Sequence, residues 1–223
     1  METPTALVTG AAQGLGQAFA VALARRGYRV AGLDLGPQPQ TAAKVLDYVE
    51  LTADTADEAR LRAQLERAVD RFGTLHAVVN SAGTHPEGPA GETPPEEWRR
   101  VVRATLEAPY LVTRAALPHL KRAGWGRIVN VAPPAAPSAI PYLTSAAGLT
   151  GLTRALAPAL APYGITVNTI TPGAPRGTAE GVAGRRPQEP ADLVSTLLYV
   201  LDRGSGFLTG QTLDVSGPGP VLL

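Results

Sequence analysis

A glycine-rich segment near the start of the chain has the residue types and spacing of a phosphate-binding turn. After a short apolar run it reads Thr-Gly-Ala-Ala-Gln-Gly-Leu-Gly, and a segment of helical periodicity follows it. Glycine lets the backbone turn sharply and approach a pyrophosphate, whose charge then lies at the N-terminus of the helix. A tight strand-to-helix turn also uses glycine without binding anything. The candidate cofactor-binding residues of this segment are Thr9, Gly10, Gln13, Gly14, Leu15 and Gly16.

An acidic residue, Asp34, ends the second apolar run. It stands at the spacing expected for an acceptor of a ribose 2′-hydroxyl group. A carboxylate here would repel a 2′-phosphate, so the pattern favours NAD(H) over NADP(H) as the cofactor. The alternative is an aspartate that only caps a loop.

The rest of the chain alternates between apolar runs of strand length and longer segments of helical periodicity. The apolar runs are rich in Val, Ile and Leu and mostly do not alternate with polar residues, as in parallel strands covered on both faces. This pattern indicates an α/β protein: a single Rossmann-type, doubly wound parallel sheet of about seven strands with helices on both faces, in one domain over residues 1–223. The predicted strands are Ala6–Thr9, Arg29–Asp34, Tyr48–Leu51, Ala77–Asn80, Arg127–Val131, Thr166–Ile170 and Thr212–Val215.

Glycine and proline mark the ends of the predicted helices. Gly27 and Gly73 are good residues to follow a helix, and Thr93 is a candidate N-cap with Pro94 at the first helical position. Segment 36–40 is predicted to be a loop, and the second crossover has room for a very short helix only. The predicted helices are Leu15–Arg26, Thr55–Phe72 with a Glu58–Arg62 pair, Pro94–Ala123, Tyr142–Tyr163 with a bend at Pro158, and Pro190–Leu201.

The composition excludes several classes of function. The chain has 223 residues, 44% of them apolar, and a net charge of +1 with no Lys/Arg run of the kind that binds nucleic acid. Cysteine is absent, which excludes disulfides and thiolate metal sites, and His76, His85 and His119 lack metal-ligand spacing. No apolar run has the length of a membrane span, and no signal-peptide pattern begins the chain. We therefore expect a cytoplasmic protein with no metal, nucleic-acid or membrane partner.

Taken together, the motifs resemble the short-chain dehydrogenase/reductase family over nearly the whole chain. The glycine spacing is similar to that of the family, segment Asn80–Gly83 resembles its Asn-Asn-Ala-Gly motif, and segment Val167–Gly173 resembles its sixth strand and the Pro-Gly turn beside the nicotinamide. Asp54 stands where the family contacts adenine. The resemblance thus implies an NAD(H)-binding oxidoreductase with these further candidate cofactor-binding residues: Asp54, Asn80, Ala82, Gly83, Pro172 and Gly173. It also implies a homo-oligomer, a dimer or tetramer, formed through the helices predicted at 94–123 and 142–163.

The chain departs from the family at the residues that carry the chemistry. The resemblance assigns the catalytic Tyr to Tyr142, which the chain retains. The positions of the catalytic Asn, Ser and Lys are occupied by Thr105, Pro133 and Ala146. The loop before Tyr142 and the segment that normally covers the substrate are both short by analogy with the family.

These replacements predict weak or non-standard catalysis. In the family, the Lys lowers the pKa of the Tyr and holds the nicotinamide ribose. A Tyr142 near the reference pKa of about 10 is only ~0.1% ionised at pH 7, a deficit of roughly 4 kcal/mol for a general base. Loss of the Ser hydroxyl removes a donor typically worth about 2–4 kcal/mol. Oxidation of an alcohol should suffer most, because a neutral Tyr142 still donates a proton to a carbonyl. Candidate replacements are His85, Ser138, Thr144, Ser145 and Arg176, each of which also has an ordinary structural interpretation.

Three functions are compatible with this pattern. The first is an oxidoreductase that acts on a small carbonyl/alcohol pair, slowly or with other helper residues. The second is a catalytically inactive homologue that serves as a dinucleotide-binding sensor or as a partner subunit. The third is a lyase or cyclase that reuses the pocket, which no residue selects.

Overall fold

The computed structural model of the chain describes residues 3–84, 93–133, 140–173 and 188–216. Within these residues, seven parallel strands form one sheet in the order β3-β2-β1-β4-β5-β6-β7. The chain adds β2 and β3 on one side of β1 and then β4 to β7 on the other side. This reversal of the strand order defines a doubly wound sheet, which confirms the predicted fold class. The strands are β1 Thr5–Thr9, β2 Arg29–Asp34, β3 Tyr48–Thr52, β4 Ala77–Asn80, β5 Gly126–Val131, β6 Ile165–Pro172 and β7 Thr212–Val215.

Helices connect the strands and cover both faces of the sheet. One apolar core packs α3 and α5 on one face, and the other packs α1 and α7 on the opposite face. Successive β1 residues face different cores, Ala6 and Val8 on one side and Leu7 on the other. The helices are α1 Gly14–Arg25, α2 Pro39–Ala42, α3 Glu58–Phe72, α4 Pro95–Val102, α5 Ala108–Arg122, α6 Ile140–Leu160 and α7 Pro190–Leu201.

Three predicted helix starts differ from the structure in the first part of the chain, and the smallest difference is that α1 begins at Gly14 rather than Leu15. The third helix begins at Glu58, not Thr55, because the Asp57 side chain caps it by accepting the Arg60 N–H at 3.0 Å. Pro94, not Thr93, is the N-cap of α4. A carboxylate is a strong cap wherever it falls in the sequence, so it competes with the start that periodicity indicates.

Two further boundaries also differ from the prediction. The predicted 94–123 helix is interrupted by a π-helical turn at Arg103–Glu107, and the predicted 142–163 helix runs from Ile140 to Leu160 before a 3₁₀ turn. The predicted loop 36–40 runs into α2, which is the very short helix expected in the second crossover. The buried Gln38 side chain orders this crossover. Its amide donates to the carbonyls of Gly32 and Leu51 at 3.1 and 2.9 Å. The homo-oligomer that the long helices imply stays a prediction.

A chain of buried polar side chains ties α6 to the sheet. The Asn80 amide donates to Asn130 Oδ1 at 2.8 Å, and the Asn130 amide donates to the Thr153 hydroxyl at 2.9 Å. Thr153 and Thr169 share a hydrogen bond of 2.7 Å. These four residues are almost fully buried and connect β4, β5, α6 and β6. Because α6 also carries Tyr142, these hydrogen bonds fix the position of the candidate catalytic residue relative to the sheet.

We expect Thr153→Val to lower the free energy of unfolding by about 1–3 kcal/mol, because it leaves the buried amide of Asn130 without its acceptor. Thr150→Val is the matched control on the same helix. The Thr150 hydroxyl shares a hydrogen bond of 3.5 Å with Thr212 in an exposed position, so its loss should change stability by less than about 0.5 kcal/mol. Urea denaturation of both variants measures the difference. Equal stability of the two variants would contradict the role of the buried chain.

Candidate active site

A cleft of about 500 Å³ opens at the carboxyl ends of the central strands. In a doubly wound sheet this edge, where the strand order reverses, is the place where ligands bind. Three sequence-predicted residues, Thr9, Asp54 and Asn80, do not line the cleft. The structure brings together around it the predicted residues Gly10, Gln13, Gly14, Leu15, Gly16, Asp34, Ala82, Gly83, Tyr142, Pro172 and Gly173.

The glycine turn is shaped by close backbone contacts. Gly10 and Gly14 have φ of +69° and +57°, a region that L side chains rarely adopt. A Cβ on Gly16 would lie 2.1 Å from the Gly10 carbonyl oxygen. The N-cap Gln13 makes no side-chain cap bond and no acidic residue lies in the first turn of α1. The start of α1 therefore presents backbone N–H groups to the cleft with no acidic side chain in its own first turn, as a bound diphosphate requires.

Thr9 supports the glycine turn from outside the lining of the cleft. The Thr9 hydroxyl accepts the backbone N–H groups of Ser81 and Ala82 at 3.0 and 2.9 Å, which joins the turn after β4 to the glycine turn. Asn80 belongs to the buried polar chain described above. The third residue, Asp54, accepts the Ala56 N–H at 2.9 Å in the turn before α3. Their direct contact with a cofactor stays a prediction.

Asp34 is held at the end of β2 by two backbone donors. One carboxylate oxygen accepts the Ala12 N–H at 2.9 Å, and the other accepts the Leu35 N–H at 2.8 Å. The first bond fixes the carboxylate against the glycine turn. Each carboxylate oxygen has further lone pairs, so both retain the capacity to accept a hydroxyl group from a ligand in the cleft.

Tyr142 lies at the other end of the cleft, near the start of α6. The side chain is only 5% exposed, and its hydroxyl donates to the Thr84 carbonyl at 2.5 Å. Burial raises the pKa of Tyr142 to about 12, while nearby Arg100 lowers it and Glu97 raises it. The phenol is therefore protonated at neutral pH and is suited to donate a proton rather than to accept one.

The positions that replace the family's Asn, Ser and Lys provide little chemistry. Thr105 lies in the π-helical turn and lines the cleft, but its hydroxyl donates to the Val101 carbonyl at 2.6 Å. Pro133 lines the cleft with neither a hydroxyl nor a backbone N–H. Ala146 is apolar. Among the described residues, no Lys, Arg or His lines this cleft.

The predicted replacements do not fill this gap within the described residues. Thr144 is exposed on α6, and Ser145 is fully buried with a hydroxyl that has no hydrogen-bond partner in the described part of the chain. Neither residue lines the cleft. His85, Ser138 and Arg176 lie outside the described residues.

The structure also adds cleft residues that the sequence did not indicate. Thr84 directly follows the Asn80–Gly83 segment, and this position in the sequence could have indicated that it lies at the cleft. Gln188 and Glu189 immediately precede α7 and line the cleft as well. The Gln188 side chain bonds to Gly173 and Val215, which are distant in sequence. No local pattern predicts such contacts.

The described residues contain neither a metal-binding cluster nor a helix that could span a membrane. No group of three or more His, Cys, Asp or Glu side chains in the described residues is arranged to hold a metal ion. In the same part of the chain, no helix is both long enough and apolar enough to cross a membrane.

Comparison with known proteins identifies the family. A model described as "short chain dehydrogenase" matches residues 4–185, and the chain belongs to this family of oxidoreductases. The hydroxy(phenyl)methyl-succinyl-CoA dehydrogenase subunit BbsD of Thauera aromatica is 31% identical to it, over 97% of this chain and 96% of the relative.

Two solved structures show a similar fold. A 3-ketoacyl-(acyl-carrier-protein) reductase from Brucella melitensis, complexed with NADH, is 29% identical over 97% of this chain and 98% of its own, with a TM-score of 0.90. An actinorhodin polyketide ketoreductase with NADPH is 27% identical over the same shares, with a TM-score of 0.86. The family thus includes structures with either cofactor, and the likeness alone does not choose between them.

We expect Gly16→Ala to lower the free energy of unfolding by about 1–3 kcal/mol. The added methyl group would overlap the backbone of Gly10, and backbone atoms cannot move aside by a change of rotamer. Gly151→Ala is the control. Gly151 lies on α6 with open space around it, so alanine should stabilise the helix by up to about 1 kcal/mol. Thermal unfolding of the two variants measures both effects. An unchanged midpoint for Gly16→Ala would refute the close contact in the turn.

Proposed function

We propose that this chain is an NAD(H)-preferring oxidoreductase that reduces a small carbonyl compound to an alcohol. The observation that carries the proposal is the glycine turn at the start of α1 with Asp34 fixed beside it. A dinucleotide would place its diphosphate at the N-terminus of α1 and its adenosine ribose at the Asp34 carboxylate. The glycine cradle, in which a side chain at Gly16 has no room, fits such a group.

When bound, the reduced nicotinamide supplies a hydride to the carbonyl carbon. Tyr142 then supplies the proton to the carbonyl oxygen, which leaves a phenolate that solvent reprotonates. The reverse reaction needs Tyr142 as a base. With a pKa of about 12, ionisation of Tyr142 at pH 7 costs roughly 7 kcal/mol, so alcohol oxidation is strongly disfavoured. Pro133 gives no hydroxyl to stabilise the developing alkoxide, and turnover is slow for that reason.

A specific observation favours a second candidate, a catalytically inactive homologue that binds a dinucleotide as a sensor or partner subunit. The described lining of the cleft has no cation, and the Tyr142 hydroxyl donates its hydrogen bond to the Thr84 carbonyl. The Thauera aromatica relative is itself named as a subunit. This candidate predicts NADH binding with no turnover over a broad panel of carbonyl compounds, whereas the first predicts slow NADH consumption.

Asp34→Ala should weaken NADH binding by about tenfold, the effect of losing a hydrogen bond to a charged acceptor, and should narrow the preference for NADH over NADPH. Isothermal titration of both cofactors tests this. Asp47→Ala is the control, since Asp47 is a partly exposed carboxylate paired with Arg71 and does not line the cleft. Tighter binding of NADPH than NADH by the natural chain would overturn the NAD preference.

If Tyr142 is the proton donor, Tyr142→Phe should reduce NADH-dependent carbonyl reduction by at least about a hundredfold, within the usual range for a general acid. Burial raises the pKa of Tyr142 to about 12, so the acid form persists as pH rises from 6 to 10 and the natural chain should show a flat profile there. Steady-state rates at several pH values measure both effects. A Phe variant as active as the natural chain, or a rate that falls below pH 9 as pH rises, would exclude Tyr142 as the acid.

A further inference from the structure

The two halves of the cleft are defined by the order of the strands. Asp34 ends β2, and the glycine turn follows β1. A dinucleotide with its ribose at Asp34 and its diphosphate at α1 must extend its nicotinamide half in the opposite direction, over the ends of β4, β5 and β6. Gly83, Pro133 and Gly173 line this half of the cleft.

In that half of the cleft, the Gln188 carboxamide is already hydrogen-bonded to backbone groups. The Gln188 Oε1 atom accepts the Gly173 N–H at 2.7 Å, and the Gln188 amide nitrogen donates to the Val215 carbonyl. Gln188 lines the cleft and is half-buried. Its oxygen and one of its two N–H donors are therefore bonded to backbone groups at the ends of β6 and β7.

The backbone donor at Gly173 has little freedom to move. A Cβ on Gly173 would lie 2.9 Å from Ser216 Cα, so the end of β6 is pressed against the residue that follows β7. A ligand that accepts a hydrogen bond from this N–H group must therefore displace the Gln188 Oε1 atom, because the backbone has no room to move toward the ligand. The nicotinamide ring carries the same functional group as glutamine, a carboxamide with one acceptor oxygen and an NH₂ group with two donors.

We propose that the Gln188 side chain is an internal competitor for the nicotinamide carboxamide. The inference rests on the proposed NAD(H) function and concerns the same cleft. Dinucleotide affinity then comes from the adenosine diphosphate half. The nicotinamide gains no additional hydrogen bond at Gly173 on binding, because its carboxamide replaces one that is already made. Gln188 must leave Gly173 before the nicotinamide takes a position that allows hydride transfer.

Calorimetric titration with NADH and with ADP-ribose, which lacks the nicotinamide, tests the proposal. The natural chain should bind both ligands with affinities within about threefold of each other. Gln188→Ala should raise the affinity for NADH roughly threefold to tenfold, the size of one net hydrogen bond, and leave ADP-ribose within twofold. Gln211→Ala is the matched control. It removes a carboxamide that bonds to the Thr209 carbonyl outside the cleft and should change neither affinity.

A second variant separates competition from simple structural support. Gln188→Met keeps the length of the side chain but loses both hydrogen bonds, and it should raise NADH affinity in the same way. If Gln188 only held α7 in place, both variants would weaken NADH and ADP-ribose equally, and the inference would be wrong. NADH binding that neither variant changes would overturn the inference alone. Absence of binding of either ligand to the natural chain and to the variants would overturn the proposed function together with it.

Discussion

The close backbone contact between Gly10 and Gly16 is the constraint on which the cleft depends. It brings the end of β1 against the first turn of α1, so that the helix N-terminus points across the edge of the sheet. The turn after β4 is joined to it by the Thr9 hydroxyl, and a Cβ on Gly10 would lie only 2.9 Å from Ala82 Cα. Closely packed backbone and the buried Thr9 hydroxyl therefore form this part of the cleft, and its shape does not depend on flexible side chains.

The two ends of the cleft differ in how well they suit their chemistry. The end near Asp34 combines a helix N-terminus with a fixed carboxylate, which suits a diphosphate and a ribose. The end near Tyr142 combines a buried neutral phenol with Pro133, and no cation is among the described lining residues. Electrostatic stabilisation of a developing alkoxide is usually the largest contribution to catalysis in such sites. The proposed function therefore draws its main support from the end of the cleft near Asp34.

The sequence predicts the parts of this site that depend on local backbone geometry. The glycine turn, Asp34 and the seven strands follow from spacing and apolar periodicity, which are local properties of the chain. Contacts between distant segments do not follow. The bond from Tyr142 to Thr84 joins α6 to the segment that follows β4. Gln188 contacts Gly173 and Val215 only once the start of α7 has packed against the ends of β6 and β7. The error at Thr55 has a related cause, since the Asp57 cap depends on side-chain geometry that periodicity does not record.

The π-helical turn at Arg103–Glu107 affects how this chain is compared with others. A π turn closes its hydrogen bonds one residue later than an α-helix, so it acts as a single-residue insertion within an otherwise continuous helix. A residue in this turn is therefore assigned to one helix face when positions are counted forward from Trp98 in α4, and to a different face when they are counted backward from Pro109 in α5. An alignment that treats the whole segment as one α-helix shifts the register on one side by one residue. Thr105 lies inside this turn, so evolutionary equivalence at this position is better judged by superposed backbones than by aligned letters.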